Sequence, residues 1–246
     1  MRALALLDAV LSVVLAPSCA ACDTLLEHPT RGPVCESCWQ SVRPFTPPLC
    51  DSCGDPLPSW RIISVPMARC PRCRRTRRLV ERSMSAGAYD GPLRAVVQAL
   101  KYEGRRSLAK PLARLMRSRC AAVLDGADCL IPVPLHASRR RARGFNQALD
   151  LARHLSEAGL PVRQLLRRVR ATPTQTGLPA AQRHRNMRYA FAPAWRERAP
   201  HDGIVVLVDD VSTTGATLEA CARVLKEMGV REVRAVTAAR VVMPRR

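Results

Sequence analysis

GIVVLVDDVSTTGATLEACARVLKEMGVREVRAVTAARVV, residues 203–242, decides the fold class of this chain. Ile204 to Val208 is an unbroken apolar run rich in branched residues, the pattern of a strand buried on both faces of a parallel sheet. Asp209 and Asp210 come next at the carboxyl end, where open α/β sheets gather their ligands. Ser212, Thr213, Thr214, Gly215, Ala216 and Thr217 then make a turn of small hydroxyl residues around a glycine. Behind it Leu218, Cys221, Val224, Leu225 and Met228 recur at helical spacing. Such a turn directs several peptide N–H groups and hydroxyls at one anion, helped by the helix N-terminus. It suits a sugar 5′-phosphate, while the two carboxylates suit the ribose 2′ and 3′ hydroxyls and a hydrated Mg²⁺. Acids alone read as a solvated strand end and STTG alone as a helix cap; their order after an apolar strand makes the phosphate reading specific.

Upstream, Leu130 to Val133 is a second short strand, and the loop from His136 to Asn146 carries Arg139, Arg140, Arg141 and Arg143 toward a helix starting near Phe145. Guanidinium groups and peptide N–H groups there suit pyrophosphate; the plainer alternative is a basic surface loop.

The front of the chain has a different chemistry. Eight of the eleven cysteines form four CxxC pairs: Cys19 with Cys22, Cys35 with Cys38, Cys50 with Cys53, and Cys70 with Cys73. Two intervening residues let both sulfurs of a turn converge on one ion, and four thiolates complete a tetrahedral zinc site, so two Zn²⁺ sites are expected. The pairs are separated by twelve, eleven and sixteen residues, short enough for hairpin ribbons rich in proline. We assign the first two pairs to one zinc and the last two to the other, a crossed pairing being less favoured. Metal binding should supply much of the folding free energy here. Disulfides are the competing reading, and reduced cytosolic thiols in regular CxxC pairs favour metal over them. No thioredoxin-like pattern surrounds the pairs. The sites look closed, so their role is structural or docking rather than catalytic. Cys120, Cys129 and Cys221 stand alone and read as small buried apolar residues.

The 246 residues allow one sizeable α/β core and a small module. A formal charge of +20 attracts polyanions and phosphorylated ligands. Only three of the forty basic residues are lysines, so a GC-rich genome explains the arginine content as well, and few aromatics weaken any base-stacking surface. No apolar run reaches the eighteen residues a membrane span needs. The opening MRALALLDAVLSVVLAPSCAACD resembles a secretory leader, but Asp8 interrupts it. Leu4, Leu7, Leu11 and Val14 instead recur at helical spacing, so residues 1–15 are expected as an amphipathic helix packed on the adjoining domain, and the compartment as cytoplasmic. Residues 16–80 are then the zinc ribbons and 81–246 the α/β domain.

With those motifs in hand, VVLVDDVSTTGAT resembles the phosphoribosyl-pyrophosphate signature of type I phosphoribosyltransferases, and the chain as a whole resembles the ComF family, the ComFC and GntX proteins. The likeness takes in the double zinc ribbon, LKYEGRRSLAKPLA at 100–113, IPVPLHASRRRARGFNQALDLA at 131–152 and TPTQTGLPAAQRHRNMRYAF at 172–191. It implies a type I phosphoribosyltransferase-like parallel sheet with flanking helices, ribose-binding acids at Asp209 and Asp210, and a phosphate loop at Thr213, Thr214, Gly215 and Thr217. Residues 171–190, with Gln175, Arg183 and Asn186, resemble the hood that closes over such sites and excludes water. Lys101 and Tyr102 match a family position without a role that chemistry alone assigns.

The resemblance implies phosphoribosyl pyrophosphate with Mg²⁺ as ligand, a part in competence or DNA processing, and single-stranded DNA and uptake or recombination proteins as candidate partners. The alternative is an active transferase moving phosphoribosyl to a nitrogen acceptor, where positioning and charge neutralisation carry the chemistry. No nucleobase pocket or general base is evident, since His136, His154, His184 and His201 are isolated.

Overall fold

The computed structural model describes residues 2–57, 68–170, 189–195 and 197–242. The front segment carries α1 (Arg2–Leu15), α2 (Glu36–Gln40) and α3 (Pro71–Arg75), the two short helices starting just after Cys35 and Cys70. Behind them come β1 (Arg82–Ser85), α4 (Gly91–Tyr102), α5 (Ala109–Leu124), β2 (Cys129–Pro132), α6 (Ala137–Arg143), α7 (Gln147–Leu155), β3 (Leu166–Arg168), β4 (Phe191–Pro193), β5 (Ile204–Ser212), α8 (Ala216–Glu227) and β6 (Glu232–Arg240).

Four strands form one sheet in the order β1-β6-β5-β2, parallel throughout. The register sets Val205 against Val233, Asp209 against Thr237 and Ser212 against Arg240. Side chains alternate along a strand, so β5 feeds two cores. Val206 and Val208 join Leu130 and the buried faces of α4, α5 and α7, including Leu100, Leu112, Met116 and Leu151. Val205 and Leu207 join Cys129 and Ile131 against Leu218, Cys221 and Leu225 of α8. The parallel α/β architecture is the one expected.

Two elements differ from the sequence reading. The arginine segment is helix α6 rather than loop. The His136 ring accepts the Ser138 N–H at 3.3 Å to open it, Gly144 closes it in the left-handed region at φ +79°, and α7 starts afresh with Asn146 accepting the Ala148 N–H. The second is α1, which seats only Leu11 of its expected apolar face, and that in part. Leu4, Leu7 and Val14 are exposed, and the buried contact is Asp8, which accepts the Thr30 N–H at 2.8 Å and pairs with His28 at 3.3 Å.

The first ribbon has no core of its own, because Leu26, Val34 and Val42 are continuous with Leu93 and Val96 of α4. Among its described residues, the second packs its four cysteines with Leu57 and Ala68. It is tied to β1 instead, where the Ser83 N–H donates to the Ser52 carbonyl at 3.0 Å. Gly54 lets this happen: it sits at φ +70°, and an added Cβ would lie 2.7 Å from the Ser83 carbonyl oxygen.

Gly126 has a similar φ of +66° but faces open space. Gly126→Ala should therefore cost only the left-handed penalty of about 1 kcal/mol. Gly54→Ala should cost about 1–3 kcal/mol more, measured by denaturant unfolding of the zinc-loaded protein.

Candidate functional site

The cysteine pairs close into two groups, Cys19, Cys22, Cys35 and Cys38 in one and Cys50, Cys53, Cys70 and Cys73 in the other, with the sulfurs of each within 4.8 Å of one another. Cys22 and Cys35 bring their Sγ atoms to 3.8 Å, and Cys53 and Cys70 to 3.7 Å. Four thiolates about 2.3 Å from one tetrahedral ion stand about 3.8 Å apart, so both groups fit zinc. Consecutive pairs combine, as assigned from the spacing. Peptide N–H groups already point at the sulfurs: Cys35 N–H lies on Cys19 Sγ and Cys70 N–H on Cys50 Sγ, each at 3.3 Å. The remaining thiols, Cys120, Cys129 and Cys221, are buried in the cores; burial pushes Cys120 up to about 12 and Cys129 to about 11, which leaves them inert.

The second site lies at the carboxyl end of β5. The strand does not stop at Val208 but runs through both acids to Ser212, so Asp209 and Asp210 leave it toward opposite faces. On the α4 side, Lys101 sets its Nζ 2.8 Å from Asp210 Oδ1, the two side chains being 16% and 5% exposed. The other oxygen, Asp210 Oδ2, is buried with no hydrogen-bond partner among the described residues. On the α8 side, Asp209 lies within electrostatic reach of Arg168 and Cys221, and its Oδ1 accepts the Asp210 N–H at 2.9 Å.

These surroundings set the charges. Desolvation, then the Asp210 charge, push the Asp209 carboxyl up to about 7 against the pull of Lys101 and Arg168. Desolvation opposes the charge on Lys101, but Asp210 and Asp209 more than offset it, so the ammonium titrates above the usual lysine range.

Beyond the acids, Ser212 and Thr214 are buried and Thr213 and Thr217 partly so. The Thr214 hydroxyl accepts the Ala216 N–H at 3.3 Å, and Gly215 takes φ +79° as the residue that opens α8. An added Cβ at Gly215 would stand 2.7 Å from Arg78 Nη2. Arg78 is the joint between the two sites: Nε donates to Glu219 Oε1 at 2.7 Å and Nη1 to Cys73 Sγ at 3.6 Å, while Glu219 Oε2 accepts the Leu79 N–H at 2.9 Å. Arg240, 2% exposed, makes a second joint, pairing with Asp55 of the second ribbon and reaching the Ser212 hydroxyl at 3.5 Å.

Arg139 and Arg143, one helical turn apart on α6, line with Lys101, Tyr102, Gly104 and Phe145 a cavity of about 510 Å³. Arg143 stacks over the Tyr102 ring at 5.3 Å and donates to Gln147 Oε1 at 2.7 Å. Arg140 and Arg141 are absent from that lining and are both exposed. Gln175, Arg183 and Asn186 of the expected hood, and His184, lie outside the described residues. His136 and His154 have structural tasks, the first capping α6 and the second pairing with Glu157 at 3.1 Å. Sequence reasoning gives Lys101 no role and misses Arg78, Arg168 and Arg240. The one local signal is that Lys101, one of three lysines, directly follows the buried Leu100.

Residues 10–74 match the model of the double zinc ribbon domain, and residues 141–242 that of the phosphoribosyl transferase domain. The chain is 30% identical to competence protein F of Haemophilus influenzae, over 84% of this chain and 90% of that one. It is 35% identical to the DNA utilization protein YhgH of Salmonella typhimurium, over 81% and 87%. Competence protein ComFC of Bacillus subtilis is 26% identical over 80% and 79%. Among solved structures, the purine phosphoribosyltransferase of Pyrococcus horikoshii overlays 56% of this chain and 88% of its own, with 17% identity and a TM-score of 0.31.

Two outcomes are expected from the geometry. Asp209 holds its proton more tightly folded than unfolded, so its contribution to stability is complete below 3.8 and is lost as pH rises through about 7. Asp209→Asn should therefore gain thermal stability relative to wild type as pH rises from 5 to 8; a pH-independent difference counts against this. Arg78→Met should make one of two zinc equivalents pass faster to a chromophoric chelator, with the other unchanged.

Proposed function

The chain belongs to the ComF family, and from that membership we propose that it binds phosphoribosyl pyrophosphate, or a related ribose 5-phosphate, with Mg²⁺ at the carboxyl end of β5, in the service of DNA uptake or processing. The observation that carries the reading is the succession of a doubly buried strand, two acids and a glycine-opened helix, at the edge where α/β sheets gather ligands.

In this reading the turn from Thr213 to Thr217 takes the 5′-phosphate with peptide N–H groups and the start of α8. Asp209 and Asp210 take the ribose diol from either side of β5. Arg139 and Arg143 meet the pyrophosphate across the cavity they share with Lys101. The donors suit Mg²⁺: both are hard carboxylates, and Asp210 Oδ2 is a buried acceptor without a hydrogen bond among the described residues. Such an ion would neutralise the pyrophosphate oxygens.

Residues 16–80 serve here as the metal-bearing unit and 81–246 as the ligand-binding one. Closed four-cysteine groups on a chain of charge +20 support a docking role toward single-stranded DNA or uptake and recombination proteins in the cytoplasm.

Titration calorimetry of the zinc-loaded protein with phosphoribosyl pyrophosphate and Mg²⁺ should give saturable heat. Asp209→Ala with Asp210→Ala should weaken binding about 100-fold or more. Absence of heat with every ribose phosphate, from a demonstrably folded protein, defeats the reading. Pyrophosphate release with a panel of bases and amines then separates a binder, which releases none, from a transferase.

A further inference from the structure

We infer that Lys101 is the resident counter-cation of the acid pair and closes the ligand-free site to divalent cations, so that Mg²⁺ enters only together with an anionic ligand. The part concerning the ligand rests on the function proposed above; the part concerning the free protein does not.

The acid pair already has its cations. The Lys101 ammonium stands 2.8 Å from Asp210 Oδ1, and both side chains are largely withdrawn from water. The lysine is carried on the last turn of α4, directly after the fully buried Ala99 and Leu100, so its backbone is fixed by the core. Arg168 acts on Asp209 from the other face of the sheet. Two carboxylates facing a lysine and an arginine present little net negative charge. A hydrated Mg²⁺ sheds water only for strong anionic donors, so this arrangement gives it no reason to bind alone.

Lys101 also lines the cavity shared with Arg139 and Arg143. A polyphosphate there offers the ammonium a second anion within side-chain reach. Lys101 can then turn from Asp210 to the incoming phosphate, exposing Asp210 to the hydroxyls and metal that arrive with it. No covalent bond changes; the step exchanges one cation for another on a single carboxylate.

The test uses Mn²⁺ as probe, read from the free-ion paramagnetic resonance signal, on zinc-loaded full-length protein without ligand. Wild type and Lys101→Arg should show no site tighter than about 1 mM. Lys101→Met should gain one site about tenfold tighter or more, and Lys101→Met with Asp210→Asn should lose it again. A wild type that binds Mn²⁺ tightly, or a folded Lys101→Met that binds no better than wild type, overturns the inference. Should Lys101→Met fail to fold, wild type supplies the answer. Reductive ¹³C-methylation labels its three lysines. With Lys101 assigned from Lys101→Arg, Mg²⁺ alone should leave that resonance in place, and a shift refutes the inference. Calorimetry with phosphoribosyl pyrophosphate can fail while these outcomes hold, and the reverse, so the two proposals fall separately.

Discussion

Two carboxylates at the end of a strand buried on both faces impose the constraint on which most of this molecule depends. Removing a carboxylate from water is costly unless a cation or several hydrogen bonds replace the solvent. Strand alternation then spreads the demand over both faces of the sheet, because consecutive acids leave to opposite sides. Lys101 pairs with Asp210 from α4 and also draws on Asp209, and Arg168 acts on Asp209 from β3, which pairs antiparallel with β4. The elements flanking β5 are therefore placed by electrostatics at their tips as much as by apolar packing along their lengths.

That division explains what is legible in the sequence. The branched run of β5 and the spacing of α8 announce themselves because their burial is periodic and local. The cysteine groups announce themselves because metal geometry restricts spacing. The arginine helix α6 reads as loop because ASRRRAR has no apolar period, although His136 and Gly144 mark its two ends. The leucines of α1 read as a packing face, yet the structure seats Asp8, since the first ribbon offers the Thr30 N–H and His28 where an apolar surface is expected. Lys101 and Asp210 are 109 positions apart, and Arg78 and Glu219 are 141 apart. No window of sequence reports such pairs.

The cysteine segment is less an appendage than its composition suggests. Its first half completes the apolar core beside α4, and the described part of its second half gathers four cysteines with Leu57 and Ala68. Arg78 binds that cluster to the turn from Thr213 to Thr217 by touching Cys73, Glu219 and the space left by Gly215 at once. Arg240 repeats the connection through Asp55 and Ser212. Both guanidinium groups are buried, where geometry is rigid and substitution disruptive.

The contact between Arg78 and Gly215 bears on how such a chain can diversify. A foreign ribbon spliced on by recombination would arrive without the guanidinium that fills the gap at Gly215, and a foreign α/β half without a carboxylate at the place of Glu219 would leave that guanidinium without its counter-ion. Either exchange leaves a hole or an uncompensated charge beside the turn, so the two halves should diverge together.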